Sequence, residues 1–272
     1  MYLQNFHIPE IDVRQMATVR KNFRRRGIYL LPNLFTTAAL FAGFYSIVAA
    51  VDGNFQKAGA AIFIAFILDG LDGRVARLTN TSTPFGREYD SLSDMVSFGL
   101  APAVVVYQWG VERLTEWNLA WGRAGWLVAF LFAVAAALRL ARFNTQAAGM
   151  SKRFFVGLPS PSAAALVAAF VWFGSAQKLA GLGGLAAAFL ITAAAGALMV
   201  TRLGYYSFKE VNLGRRIPFT YLLGIVLIFI LISLDPPTVL LAMFGSYAAS
   251  GPLYWLWRRR RARSGTGTGN AD

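Results

Sequence analysis

Four aspartates between positions 69 and 94 are the residues with the clearest chemical potential in this sequence. Asp69 and Asp72 stand at i,i+3 and Asp90 and Asp94 at i,i+4, so on two helices each pair shares one face. The competing chemistries are few. The only histidine, His7, lies in the polar N-terminal stretch and cysteine is absent, which removes histidine ladders, Ser/His/Asp triads, thiolate metal sites and disulfides. Catalysis must then rest on carboxylates. An all-oxygen acidic set is what hard cations such as Mg²⁺ or Mn²⁺ prefer, and four acids predict a dinuclear site. The alternative is ion pairing with Arg74, Arg77 and Arg87, since clustered carboxylates repel one another and need some counter-charge. Gly70 and Gly73 each cost roughly 1 kcal/mol in a helix interior, yet they let a ligand or a second backbone come close. Helix packing through small residues explains them as well.

The elements that hold these acids are set by lipid. Of 272 residues 56% are hydrophobic and 14% charged, with a mean hydropathy of +0.49, too apolar for a soluble domain of this length. Alternating ten-residue strand patterns are absent, so the expected fold class is all-α, a polytopic membrane helix bundle. Apolar runs between charged or Gly/Pro-rich breaks predict eight helices, near 28–51, 57–79, 88–109, 124–145, 161–177, 184–201, 217–233 and 238–257. The second of these decides where the acids sit. Its apolar run ends at Leu68, and about eleven residues at 1.5 Å rise cannot cross roughly 30 Å of hydrocarbon. The helix must run on to about Thr79, carrying Asp69 and Asp72 in its inner part. The third helix starts on the same side with Asp90 and Asp94, so the two pairs meet at matching depth.

Lys and Arg give the orientation. On the eight-helix plan 22 of the 26 basic residues fall on one side, leaving Lys57, Arg113, Arg123 and Lys178 on the other. Both termini and the acids are therefore expected at the cytoplasmic face of the cell membrane. The net charge of +13 sits mostly beside apolar runs, where anionic lipid is the counter-charge, and no nucleic-acid partner is expected. The basic run Arg20 to Arg26 imitates a signal peptide, but the apolar stretch 28–51 is too long for one, so an uncleaved first span is expected. The domain plan is a basic N-terminal segment 1–27, one membrane domain 28–257, and a basic tail 258–272 whose end, from Ser264, reads as disordered.

The same residues carry a resemblance. From Asp69 the sequence runs DGLDGRVAR, then eight residues to Gly86, three more to Asp90 and three more to Asp94. That spacing of eight fixed positions resembles the signature of the CDP-alcohol phosphatidyltransferase family. The resemblance implies that Asp69, Asp72, Asp90 and Asp94 hold two divalent metals and that Asp94 deprotonates the attacking alcohol. It further implies that Gly73, Arg77, Thr83 and Gly86 contact the CDP part, that Pro32, Asn33 and Thr36 line the nucleotide pocket, and that the protein is a homodimer.

Three further segments resemble the phosphatidylserine synthase branch of that family: Arg139 to Asn144, Phe155 to Pro161, and Leu198 to Lys209. The branch implies CDP-diacylglycerol and L-serine as substrates. Arg139 and Arg142, at i,i+3 and at the depth of the acids, suit a serine carboxylate or a lipid phosphate, and equally suit plain positive-inside anchoring. Asn144 suits a hydrogen bond within the site or a helix C-cap. Two other readings stay open here: another acceptor alcohol (glycerol 3-phosphate, inositol phosphate or choline), or a cation transporter using intramembrane acids.

Overall fold

A computed structural model describes residues 13–79, 81, 83–116, 118–146, 154–179, 181–206 and 219–264. His7, Lys152, Arg153, the segment Ser207 to Lys209, Arg215, Arg216 and the tail beyond Ser264 lie outside these residues. The helices are α1 (Val13–Val51), α2 (Phe55–Thr79), α3 (Pro84–Asp94), α4 (Ala101–Trp109), α5 (Leu119–Gln146), α6 (Ser160–Ala176), α7 (Leu182–Val200), α8 (Phe219–Leu234) and α9 (Pro236–Ser264). A π-helical stretch, Met95–Leu100, joins α3 to α4 without a break, and a 3₁₀ turn, Val111–Glu116, follows α4. Each apolar run expected to be a helix therefore falls on one helical rod.

Among the described residues, four helices are long and apolar enough to cross a membrane: Leu31–Val51, Leu119–Thr145, Leu182–Val200 and Pro236–Arg261. Ser160–Ala176 and Leu222–Leu234 are apolar but shorter. α2 carries Asp69, Asp72, Arg74 and Arg77 in its second half, which is why its composition is not that of a plain span.

α6 is the axis of the bundle. Its middle, Ala163 to Val171, is buried without interruption, as a helix apolar on all faces must be. Its alanines admit close neighbours: a Cβ placed on Gly59 of α2 would lie 3.2 Å from the Ala168 carbonyl oxygen. The same device sets α1 against the π stretch. Ser97 Oγ donates to the Ala39 carbonyl at 3.2 Å, and a Cβ on Gly43 would stand 2.7 Å from Ser97 Cα, so only glycine lets the two backbones meet here.

The all-α expectation omits one small sheet. β1 (Phe154–Val156) pairs antiparallel with β2 (Gly204–Tyr206), with Phe155 opposite Tyr205. It ties the segment before α6 to the segment after α7. Gly157, at φ +82°, makes the exit turn; its N–H donates to Leu203 O at 2.8 Å, and a Cβ there would lie 3.0 Å from Thr201 O. A second anchor comes from α9. Pro252 has no N–H to give the Ala248 carbonyl four residues back, and the buried Tyr205 hydroxyl donates to that oxygen instead, at 3.0 Å. Tyr247 Oη in turn donates to Tyr206 O at 3.2 Å.

Candidate active site

The acids are brought together where the second halves of α2 and α3 meet the middle of α1. α3 starts at Pro84, whose fixed φ suits the first helical turn. Thr83 caps it, its Oγ1 accepting from Gly86 N at 3.0 Å. This start sets the phase that turns Asp90 and Asp94 toward α2. One carboxylate oxygen from each of Asp69, Asp72 and Asp90 lies within 4.8 Å of the others. Asp94 stands outside that trio, with its side chain within hydrogen-bonding reach of Asp69.

Thr36 of α1 is the joint of the cluster. Its hydroxyl donates to Asp72 Oδ2 at 2.7 Å, with Pro32 O as a longer acceptor at 3.1 Å. Its own carbonyl accepts from Ser93 Oγ at 3.2 Å. Thr36, Asp72 and Ser93 are all buried. One residue thus fixes α1 to both acid-bearing helices. Beside it, Thr37 Oγ1 and Tyr89 Oη share a hydrogen bond of 2.9 Å.

The other residues singled out from the sequence lie on the same end of the bundle. Arg77 folds back over Gly73, with its guanidinium 3.4 Å from where a Cβ on Gly73 would stand, and its charge acts on Asp72. Asn33 Oδ1 and Thr83 Oγ1 lie 3.3 Å and 3.1 Å from the corresponding point on Gly86. Asn33, Thr83 and Gly86 therefore line one spot between α1 and α3, while Gly70 has open space where a side chain would be.

α5 brings the basic residues. Arg139 Nη1 donates to Ser160 Oγ, at the start of α6, at 2.9 Å. Its electrostatic neighbours are Asp94 and Tyr247. Asn144 Nδ2 donates to Ser91 Oγ at 2.8 Å, so its amide bridges α5 to α3 next to Asp90. Arg142, one turn beyond Arg139, is partly buried. Sequence spacing did not point to Ser93, Ser91, Ser160 or Tyr247. Serines and tyrosines are common in helices, and only packing shows that Ser93 and Ser91 on the acid-bearing helix meet Thr36 and Asn144, and that Ser160 meets Arg139.

Among the described residues, two buried side-chain polar atoms lack a hydrogen-bond partner, Asp90 Oδ1 and Arg139 Nε. A buried, unpaired carboxylate oxygen is costly. In a cluster of three acids the group that would satisfy it is a cation, so the donor set fits a hard divalent metal.

Residues 29–201 match the family model for CDP-alcohol phosphatidyltransferase. The chain belongs to the CDP-alcohol phosphatidyltransferase family. It is accordingly an enzyme, a transferase, and its apolar helices make it an integral membrane protein. Among its relatives is the CDP-diacylglycerol–serine O-phosphatidyltransferase of Helicobacter pylori (strain 26695), 37% identical over 237 residues that make up 84% of this chain and 92% of that protein. The Mycobacterium tuberculosis (strain H37Rv) protein of the same name is 43% identical over 148 residues, 52% of this chain and 49% of the relative. The archaetidylserine synthase of Methanothermobacter thermautotrophicus is 34% identical over 177 residues, 64% of this chain and 69% of that protein. The signature from Asp69 to Asp94 lies inside the family match, and α8 and α9 lie beyond it.

Proposed function

We propose that this phosphatidyltransferase moves the phosphatidyl group of CDP-diacylglycerol to the hydroxyl of L-serine, releasing CMP, by direct displacement at a site facing the cytoplasm. The observation that carries the reading is the trio of acids with carboxylate oxygens within 4.8 Å of one another, one of them with a buried oxygen that lacks a partner. The serine acceptor is supported by the relatives' names. The bacterial relatives and the archaeal one differ in the lipid named but share serine.

Asp69, Asp72, Asp90 and Asp94 would hold Mg²⁺ or Mn²⁺. When bound, such ions neutralise diphosphate oxygens and stabilise the departing CMP. The chain's own residues do the rest. Thr36 fixes one carboxylate of the cluster through its hydrogen bond to Asp72. Asn33, Thr83 and Gly86, which meet between α1 and α3, and Arg77, folded over Gly73, together receive the CDP moiety. Asp94, next to Asp69 and within the field of Arg139, accepts the proton of the serine hydroxyl. The serine oxygen then forms a bond to the lipid-linked phosphorus. The bond from that phosphorus to the CMP oxygen breaks, and its electron pair leaves with CMP. No covalent phosphatidyl-enzyme is needed.

The orientation rests on the Lys and Arg bias, which puts both termini on the cytoplasmic side of the cell membrane. The test is a head-group panel: the purified protein should release CMP only when serine and a divalent cation are both present. CMP release with glycerol 3-phosphate, inositol phosphate or choline but not serine would overturn the acceptor assignment. Cation flux into proteoliposomes without lipid turnover would overturn the enzymatic reading of the acids.

A further inference from the structure

Arg139 is an unusual arginine for a helix end. Its Nη1 is committed to the buried Ser160 hydroxyl at 2.9 Å, while its Nε is buried with no partner. Anchoring to lipid headgroups would need the charged tip at the surface, as a snorkelling arginine has it. Here Nε is buried, and α5 lies along the acid-bearing helix, with Asn144 on Ser91 at 2.8 Å and Ala136 Cβ 3.3 Å from where a Cβ on Gly99 would stand. The charge of Arg139 is felt by Asp94, the proposed base, and Tyr247 of α9 lies in its field.

Tyr247 is itself held in place. Its hydroxyl donates to Tyr206 O, and its ring packs on Tyr205 with centroids 5.6 Å apart. Tyr205 is fixed by the Ala248 carbonyl that Pro252 leaves without a backbone donor. The sheet and α9 therefore form a clasp behind Arg139. A buried N–H donor on a charged group, without a partner and close to the proposed base, calls for an anionic acceptor atom from a ligand.

We propose that Arg139 is the seat of the acceptor's carboxylate and that Tyr247, on a helix outside the family match, is a positioning residue that holds the guanidinium for it. The inference rests on the serine reading and deepens it. Serine bound through its carboxylate at Arg139 presents its hydroxyl toward Asp94, and an alcohol without a carboxylate leaves Nε buried and unpaired. α9 then takes part in choosing the acceptor.

The test uses the full chain in detergent micelles with CDP-diacylglycerol and saturating Mn²⁺, comparing L-serine with L-serine methyl ester, which keeps the hydroxyl and the amine but loses the carboxylate charge. Wild type should prefer serine by at least about 100-fold in kcat/KM, the order expected when a buried charged donor loses its partner. Arg139→Lys should raise the serine KM by roughly 10- to 100-fold, remove most of that preference and leave the CDP-diacylglycerol KM within about twofold. Tyr247→Phe should raise the serine KM by about three- to tenfold with little change in kcat, as loss of one ordinary hydrogen bond behind the guanidinium would.

Equal use of serine and its methyl ester by the wild type overturns the proposal without any variant, even if Arg139→Lys does not fold. A rise in the CDP-diacylglycerol KM with the serine KM unchanged assigns Arg139 to the lipid phosphate and overturns it. Loss of kcat with both KM values unchanged makes the clasp merely structural. Failure of serine to support any CMP release overturns the underlying acceptor assignment instead, a result the carboxylate comparison cannot mimic.

Discussion

Thr36→Val replaces a hydroxyl by a methyl of nearly the same size and so isolates one hydrogen bond. That bond is short, 2.7 Å from Thr36 Oγ1 to Asp72 Oδ2, and both residues are about 95% buried, with 4% and 5% of their surface exposed. A hydrogen bond to a charged acceptor is worth about 1.5–3 kcal/mol in such a setting. Pro32 O at 3.1 Å is a second acceptor for the same hydroxyl, so part of that value is shared, and the lower half of the range applies. The helical backbone of α1 and the Ser93 bond to the Thr36 carbonyl are untouched. The loss therefore falls on the orientation of one carboxylate. Loss of a group that orients a metal ligand weakens metal affinity by about 10- to 100-fold. The assay is CMP release titrated with Mn²⁺ or Mg²⁺. The half-saturating metal concentration should rise by that factor, with the rate at saturating metal within about threefold of wild type. Thr36→Ser, which keeps the donor, should titrate near wild type. A metal curve that does not move, or a rate loss that added metal does not restore, would refute the reasoning.

Three further outcomes follow from the packing. Asp94→Asn should abolish CMP release while CDP-diacylglycerol binding, measured by equilibrium dialysis, survives; retained turnover removes Asp94 as the base. Tyr205→Phe leaves the Ala248 carbonyl without its donor and should cost about 1–3 kcal/mol of stability in thermal unfolding in detergent. In a Pro252→Ala background, where the backbone N–H returns, the same change should cost less, and an unchanged cost would contradict the repair role. Gly43→Ala forces a methyl against Ser97, whose Cα stands 2.7 Å away, and should destabilise by about 1–3 kcal/mol as overpacking does. Because it pushes α1 from the helix that carries Asp94, activity should fall more than the melting temperature alone accounts for.

Much of the architecture was legible because lipid imposes a simple rule on sequence. The run 28–51 marked the apolar part of α1, yet the helix itself begins at Val13. Arg and Lys are good helix formers, so the helix does not stop where the apolar pattern does. α9 does the same through Arg258 to Arg261, where Arg259 and Arg261 sit 4.1 Å and 4.0 Å from the rings of Trp255 and Trp257. The sheet was invisible because two three-residue strands have no period to detect. Its constituents, around Phe155 and Tyr206, fall in two of the branch-like segments, far apart in sequence. Pairing joins them, and with Arg139 on Ser160 it brings all three branch-like segments to one end of the bundle.

The acids were legible for a related reason, and the π stretch shows where such reading stops. Asp90 and Asp94 precede Met95, so the i,i+4 rule holds for both and their shared face follows from spacing alone. Beyond Asp94 a regular helical wheel loses its phase, because the π turn inserts an extra residue. Ser97, Phe98 and Gly99 lie within this turn and are all buried, with Leu100 exposed. This widened turn lets Ser97 reach the Ala39 carbonyl while Gly43 admits its backbone. The irregularity sits one residue after the proposed base. It binds the acid-bearing helix to α1 on one side, while Arg139 and Asn144 engage α6 and α3 from α5 on the other. The acids thus depend for their position largely on contacts made by small, uncharged residues such as Gly43, Ser93 and Ser97, which carry no chemical signal of their own. That is why spacing can nominate the ligands of such a site but only packing can identify what aims them.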